Sequence, residues 1–88
     1  MEVARVGIVG DFDAGYESHH TSDRALAQLG LRPQWVASSE VSAQRPEERL
    51  TGYAGLLIAP ASRPYQSIAG VHAAIRFARE RGVPLVGT

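Results

Sequence analysis

The chain contains no cysteine, which excludes disulfides, thiolate metal sites and a cysteine nucleophile among its 88 residues. It also lacks a surplus of either charge: nine Lys and Arg are balanced by nine Asp and Glu, and neither sign gathers in a block. The field that would draw in nucleic acid or an anionic membrane surface is therefore missing, and neither is expected as a partner. No apolar stretch approaches the roughly 20 residues needed to span a bilayer, and the N-terminus lacks the apolar core of a secretion signal. A cytoplasmic location is the resulting expectation. Repeats, linkers and low-complexity tracts are absent too. What remains, 44% hydrophobic and 20% charged residues, is the make-up of an ordinary globular protein, and the length allows one domain at most.

Residues 4–9 (ARVGIV) are β-branched and bounded by Gly10, which predicts a buried first strand. Residues 11–18 read as a loop, with Ser18, Thr21 or Ser22 as the cap of the helix that follows. There Ala25, Leu26 and Leu29 share one face and Gly30 supplies the stop. Residues 31–37 (LRPQWVA) predict a second strand, in which Pro33 argues for an edge or early position. Residues 38–49 are polar and weakly patterned, but Pro46 followed by Glu47 and Glu48 suits the first turn of a short helix. Residues 54–59 (AGLLIA) are apolar enough for a third strand buried on both faces, and Pro60 ends it. Ile68, Val71, Ile75 and Ala78 then fall at helical spacing, with Arg76, Arg79 and Glu80 elsewhere on the wheel and Gly82 as the stop. Residues 83–86 predict a fourth strand.

That alternation is the rhythm of an α/β domain with a doubly wound parallel sheet. Such a sheet needs helices on both faces, and about three are available, so the expected core is thin and the expected fold incomplete within this chain. The carboxyl ends of its strands are where ligands and reactive side chains gather.

Several chemistries can be weighed there. Gly10 and Gly15 have the outer spacing of a phosphate-binding loop, yet Tyr16 and Glu17 occupy the Lys and Ser/Thr positions, and two carboxylates would repel phosphate. Gly7 and Gly10 do not form a dinucleotide fingerprint. Asp11, Asp13, His19 and His20 carry metal-binding atoms, but their spacing matches no ligand pattern, and a solvated loop and helix start accounts for them. A phosphate-accepting receiver domain would place an Asp at the end of the third strand, where Ala59, Pro60 and Ala61 stand. The loop APASRPYQSIAG, residues 59–70, is more informative, because the small residues Ala61 and Ser62 let backbone approach a ligand and present N–H groups to an oxyanion. Ser62 has no neighbouring base that would make it a nucleophile and is read as a loop or capping residue. Tyr65 is either a pocket wall or a half-buried loop tyrosine. Arg63 and Arg76 are anion binders or solvated, and His72 is read as a surface histidine.

Residues 74–80 (AIRFARE) and 82–88 (GVPLVGT), together with the Pro-containing loop before them, resemble the central part of class I glutamine amidotransferase domains. The resemblance is strongest to stand-alone proteins similar to the amidotransferase half of CTP synthase. The opening ARVGIVGDFDAG, followed by a helix containing His20 and Ala25, is similar to the start of the same proteins. The resemblance is specific after Ala54 and loose before it. It implies a flavodoxin-like, three-layer fold, with residues 1–88 as the N-terminal half of one amidotransferase-like domain. It also implies hydrolysis of glutamine to glutamate and ammonia through a cysteine thioester, with no cofactor and no metal.

In the family the nucleophilic cysteine directly follows the Gly-Thr or Gly-Ile pair, on a strained strand-to-helix turn whose helix N-terminus lowers the thiol pKa. A later His and Glu complete the triad. The resemblance therefore places the nucleophile just past Thr88. It assigns the oxyanion-loop backbone to Ala61 and Ser62 and the glutamine-binding surroundings to Pro60, Tyr65, Gly87 and Thr88, with Gly87 allowing the close turn. Ala61 stands where the family has glycine, and Arg63 before Pro64 is a second departure. An alanine that resists a positive φ or a peptide flip weakens such a loop, so the alternative is a catalytically degenerate domain that binds a small carboxylate or a partner protein. A hydrolase of the same superfamily with another substrate is a third class. The expected partners are glutamine, the remainder of the polypeptide or a complementing chain, a second copy in a homo-oligomer, and a separate ammonia-acceptor protein, since Met1 immediately precedes the first strand. A fourth strand ending at Thr88 would leave half a sheet uncovered, so a longer polypeptide is expected, and an intact mass near 9.4 kDa would reject it.

Overall fold

Four short segments pair side by side in parallel, in the order β2-β1-β3-β4. The computed structural model describes residues 4–12, 17–59 and 65–87. Along the chain the elements are β1 (Arg5–Val9), α1 (Glu17–Gln28), β2 (Arg32–Val36), a 3-10 turn (Ser38–Glu40), α2 (Glu47–Leu50), β3 (Gly55–Ile58), α3 (Ile68–Arg81) and β4 (Leu85–Val86). This is the expected α/β, doubly wound arrangement, flavodoxin-like as far as its fourth strand. The chain moves from β1 outward to β2, then returns across β1 to β3, so the reversal falls between β1 and β3.

Local backbone chemistry sets most boundaries where the sequence puts them. Pro33 lies in β2, an edge strand, where its missing N–H breaks no ladder on the open side. Gly30 has φ 77°, with its N–H bonded to the Ala27 carbonyl at 3.0 Å and that of Leu31 to the Leu26 carbonyl at 3.0 Å. This is the left-handed stop that satisfies the last carbonyls of α1. Gly82, φ 69°, ends α3 in the same way. The helix start of α1 differs from expectation: it begins at Glu17, so Ser18, Thr21 and Ser22 lie inside the helix rather than at its cap.

The two faces of the sheet are unequally covered. Val9, Val36, Leu56 and Ile58 point to one side and pack with Val41, Leu50 and the buried face of α3 into the main core. The neighbouring residues point the other way, where Trp35 meets His19 of α1 with ring centroids 4.8 Å apart. Over β3 and β4 that second face is thinly covered, leaving Leu57 half-buried and Val86 60% exposed. The expectation of a β3 buried on both faces is thus corrected, because α1 lies over β2 and nothing described lies over Leu57 and Val86.

The buried face of α3 is also rotated from the expected one. Val71 and Ala78 are buried as predicted, whereas Ile68 and Ile75 are exposed, and Gly70, Ala73, Ala74 and Phe77 line the core instead. The reason is a close approach at Gly70, where only the small-residue face of the helix fits against the 3-10 turn. Among the described residues, no helix is long and apolar enough to cross a membrane.

Candidate functional site

The carboxyl ends of β1, β2 and β3 meet at the strand-order reversal, the crevice where doubly wound sheets bind ligands. Just past β1, Asp11 acts as a hub. Its Oδ1 accepts the Ser38 N–H at 3.0 Å, and its Oδ2 accepts the Gln66 N–H at 2.9 Å. Ser38 Oγ donates to the same carboxylate, 2.9 Å from Oδ2 and 3.1 Å from Oδ1. The hydroxyl in turn accepts the Ser67 N–H at 3.0 Å. Ser67 completes the chain of contacts as the N-cap of α3, its Oγ accepting the Gly70 N–H at 3.1 Å. Ser38 is fully buried, and this network satisfies it on every side.

Asp11 is therefore a structural acceptor rather than part of a solvated loop. The sequence suggested a phosphate-repelling carboxylate or a metal ligand there, and its partners, 27 and 55 residues away, left no local signal. His19, read as solvated, is 2% exposed and packs at a tilt against Phe12 and Trp35, which also touch each other. The burial follows from its position on the sheet-facing side of α1. Trp35 Nε1 donates to Asp23 Oδ1 at 2.9 Å, which docks α1 onto β2. Among the described residues, no cluster of three or more His, Cys, Asp or Glu could hold a metal ion.

Gly10 and Ala59 end β1 and β3 side by side. The Gly10 N–H reaches the Val36 carbonyl and the Ala59 N–H the Val9 carbonyl, each at 3.0 Å, so the ladder continues past the strands. A Cβ on Gly10 would come within 2.8 Å of the Ala59 methyl. Tyr65 is half-buried against the core, and its hydroxyl donates to the Ala59 carbonyl at 2.6 Å. It joins the residue leaving β3 to the residue approaching α3. Replacing Tyr65 by Phe is expected to cost about 1 kcal/mol. Urea denaturation of the polypeptide that carries the segment measures it.

Of the other expected site residues, Pro60, Ala61, Ser62 and Thr88 lie outside the described residues, as do Asp13, Gly15, Tyr16 and Arg63. Gly87 follows β4, is exposed, and has open space around the position of a Cβ. Arg76 donates through Nη2 to the Ala43 carbonyl at 2.8 Å, tying α3 to the segment before α2. His72 is on the surface as expected. β3 and β4 pair in parallel with Leu57 opposite Val86, so their carboxyl ends lie side by side.

Along nearly its whole length the chain is similar to CTP synthase. It is 32% identical to the enzyme of Acidobacterium capsulatum, over 93% of this chain and 16% of that protein. With the CTP synthase of Halalkalibacterium halodurans the identity is 30% over 97% of this chain and 17% of the relative. For that of Staphylococcus carnosus it is 31%, over 93% and 16%. The chain thus spans about a sixth of the length of these curated relatives. No protein-family model matches it. What the similarity supports is a CTP synthase-like region.

Proposed function

We propose that residues 1–88 form the N-terminal half of a class I glutamine amidotransferase-like domain that hydrolyses glutamine to glutamate and ammonia. The observation that carries this reading is the parallel pairing of β3 with β4, Leu57 opposite Val86. It sets the carboxyl ends of the two strands side by side, and in this reading the Ala61–Ser62 loop follows the first and the nucleophile, after Thr88, follows the second. The similarity to CTP synthase over nearly all of these residues supports the same assignment.

In the proposed reaction the cysteine thiolate attacks the side-chain amide carbon. Backbone N–H groups of the Ala61–Ser62 loop stabilise the oxyanion, a contribution worth about two to three powers of ten in rate where it has been removed elsewhere. The C–N bond then breaks, the nitrogen leaves as ammonia after taking up a proton, and water cleaves the thioester to release glutamate and restore the thiol. Glutamine and the remaining or complementing polypeptide are the partners this reading requires, and an acceptor for the ammonia is the third. Pro60, Tyr65, Gly87 and Thr88 would surround the substrate.

The alanine at position 61, where the resembled family has glycine, favours a second reading in which the shell persists as a binding domain without turnover. A diazoketone analogue of glutamine separates the two when added to the polypeptide that carries these residues. Stoichiometric labelling of one cysteine directly after Thr88, with ammonia released from glutamine, is the expected result. A folded protein that takes no label and releases no ammonia supports the binding domain instead.

A further inference from the structure

Asp11 stands where three parts of the chain converge: the end of β1, the 3-10 turn after β2, and the entry to α3. We propose that Asp11 is a positioning residue for the connection between β3 and α3, holding the Gln66 N–H directly and the Ser67 N–H through the Ser38 hydroxyl. The effect on turnover rests on the glutaminase reading above, whereas the effect on position does not.

Three observations carry the proposal. First, α3 already has its own cap, because Ser67 Oγ accepts the Gly70 N–H. The carboxylate is thus spent on residues at the mouth of the helix rather than on starting it. Second, an ionised carboxylate offers only acceptor sites, and all three of its donors here belong to distant segments. Bonds of this charge-assisted kind are about twice as strong as neutral ones, so they place a segment more firmly than a hydroxyl would. Third, the other end of the connection is tied separately, by Tyr65 Oη to the Ala59 carbonyl. The chain leaving β3 and the chain entering α3 are therefore both anchored, and Asp11 supplies the anchor that refers α3 to β1 and β2. A shift of about 1 Å in a catalytic loop costs up to roughly 100-fold in rate, so an anchor of this kind is felt in turnover even though it touches no substrate.

Asparagine preserves the size of Asp11 but replaces one acceptor oxygen by an N–H₂ group, which faces either the Gln66 or the Ser38 donor. The test compares Asp11→Asn with Gly82→Ala, a substitution of modest cost at the far end of α3, in the full polypeptide that carries the segment. In Asp11→Asn, amide hydrogen exchange at Gln66 and Ser67 is expected to accelerate about ten-fold beyond that in Gly82→Ala, and kcat for glutamine to fall about ten-fold while KM stays within about two-fold. Exchange at those two amides that rises no more than in Gly82→Ala overturns the proposal. So does a kcat loss that Gly82→Ala shares equally. If the unaltered protein releases no ammonia from glutamine, the glutaminase reading falls, and the exchange comparison decides the positional claim by itself. Should Asp11→Asn fail to fold, Ser38→Ala serves in its place: it removes the hydroxyl alone, and faster exchange at Ser67 with Gln66 still protected is then required.

Discussion

Gly70→Ala is expected to unfold this domain at a much lower temperature, although alanine is the better helix former. Gly70 lies in the first turn of α3 with ordinary helical geometry, and propensity alone would make the substitution stabilising by about 1 kcal/mol. Sterics decide the opposite sign. A Cβ at this position would overlap the Ser38 carbonyl oxygen, and it would also lie 3.0 Å from the Ser38 carbonyl carbon and 3.3 Å from the Val41 carbonyl oxygen. These are backbone atoms of two buried residues, and they cannot swing aside as a side-chain tip can. Either α3 lifts from the core or the turn moves and takes Ser38 away from Asp11. Overpacking of this severity costs about 3 kcal/mol. Thermal and urea denaturation followed by circular dichroism measure it. Gly82→Ala is the comparison, since nothing lies within 4 Å of a Cβ there and its cost, about 1 kcal/mol, comes from the left-handed φ of 69°. Equal losses from the two substitutions would show that the contact with Ser38 is unimportant.

The same glycine explains which parts of the fold were legible in the sequence. Signals that act through a single residue's own backbone were readable: Pro33 on an edge strand, and Gly30 and Gly82 as left-handed helix stops. Each restricts φ or removes a donor whatever surrounds it. The rotation of α3 was not readable, because hydrophobic spacing favours the face bearing Ile68 and Ile75, whereas the approach to Ser38 selects the face bearing Gly70 and Ala74. For the same reason the Asp11 network was hidden, since one carboxylate joins the end of β1, the turn after β2 and the entry to α3, and nothing near it in sequence names its partners. The strand rhythm, by contrast, is a pattern repeated along the chain, and it pointed to the parallel sheet and so to the edge where the candidate site lies.

At that edge a paired substitution is expected to recover what a single one loses. Gly10→Ala places a methyl 2.8 Å from the methyl of Ala59, and neither atom can rotate away because both are fixed to their strands' backbones. The Gly10 backbone lies outside the positive-φ region, so alanine meets no conformational penalty and the whole cost is the collision. Overpacking at this level costs about 2 kcal/mol. Ala59→Gly alone removes a buried methyl and adds chain entropy to the unfolded state, costing about 1 kcal/mol. In the double variant the methyl has moved from β3 to β1 with its volume conserved. The two changes should then couple favourably by about 1–2 kcal/mol, leaving the pair less destabilised than their sum. A double-mutant cycle by chemical denaturation measures this term, and strict additivity would mean that the ends of β1 and β3 are not in contact. The cycle also bears on the site, because Asp11 follows Gly10 in the chain and the Ala59 carbonyl holds the Tyr65 hydroxyl. Spreading the strand ends with Gly10→Ala should loosen both anchors of the β3–α3 connection together, and drawing them back with Ala59→Gly should restore both.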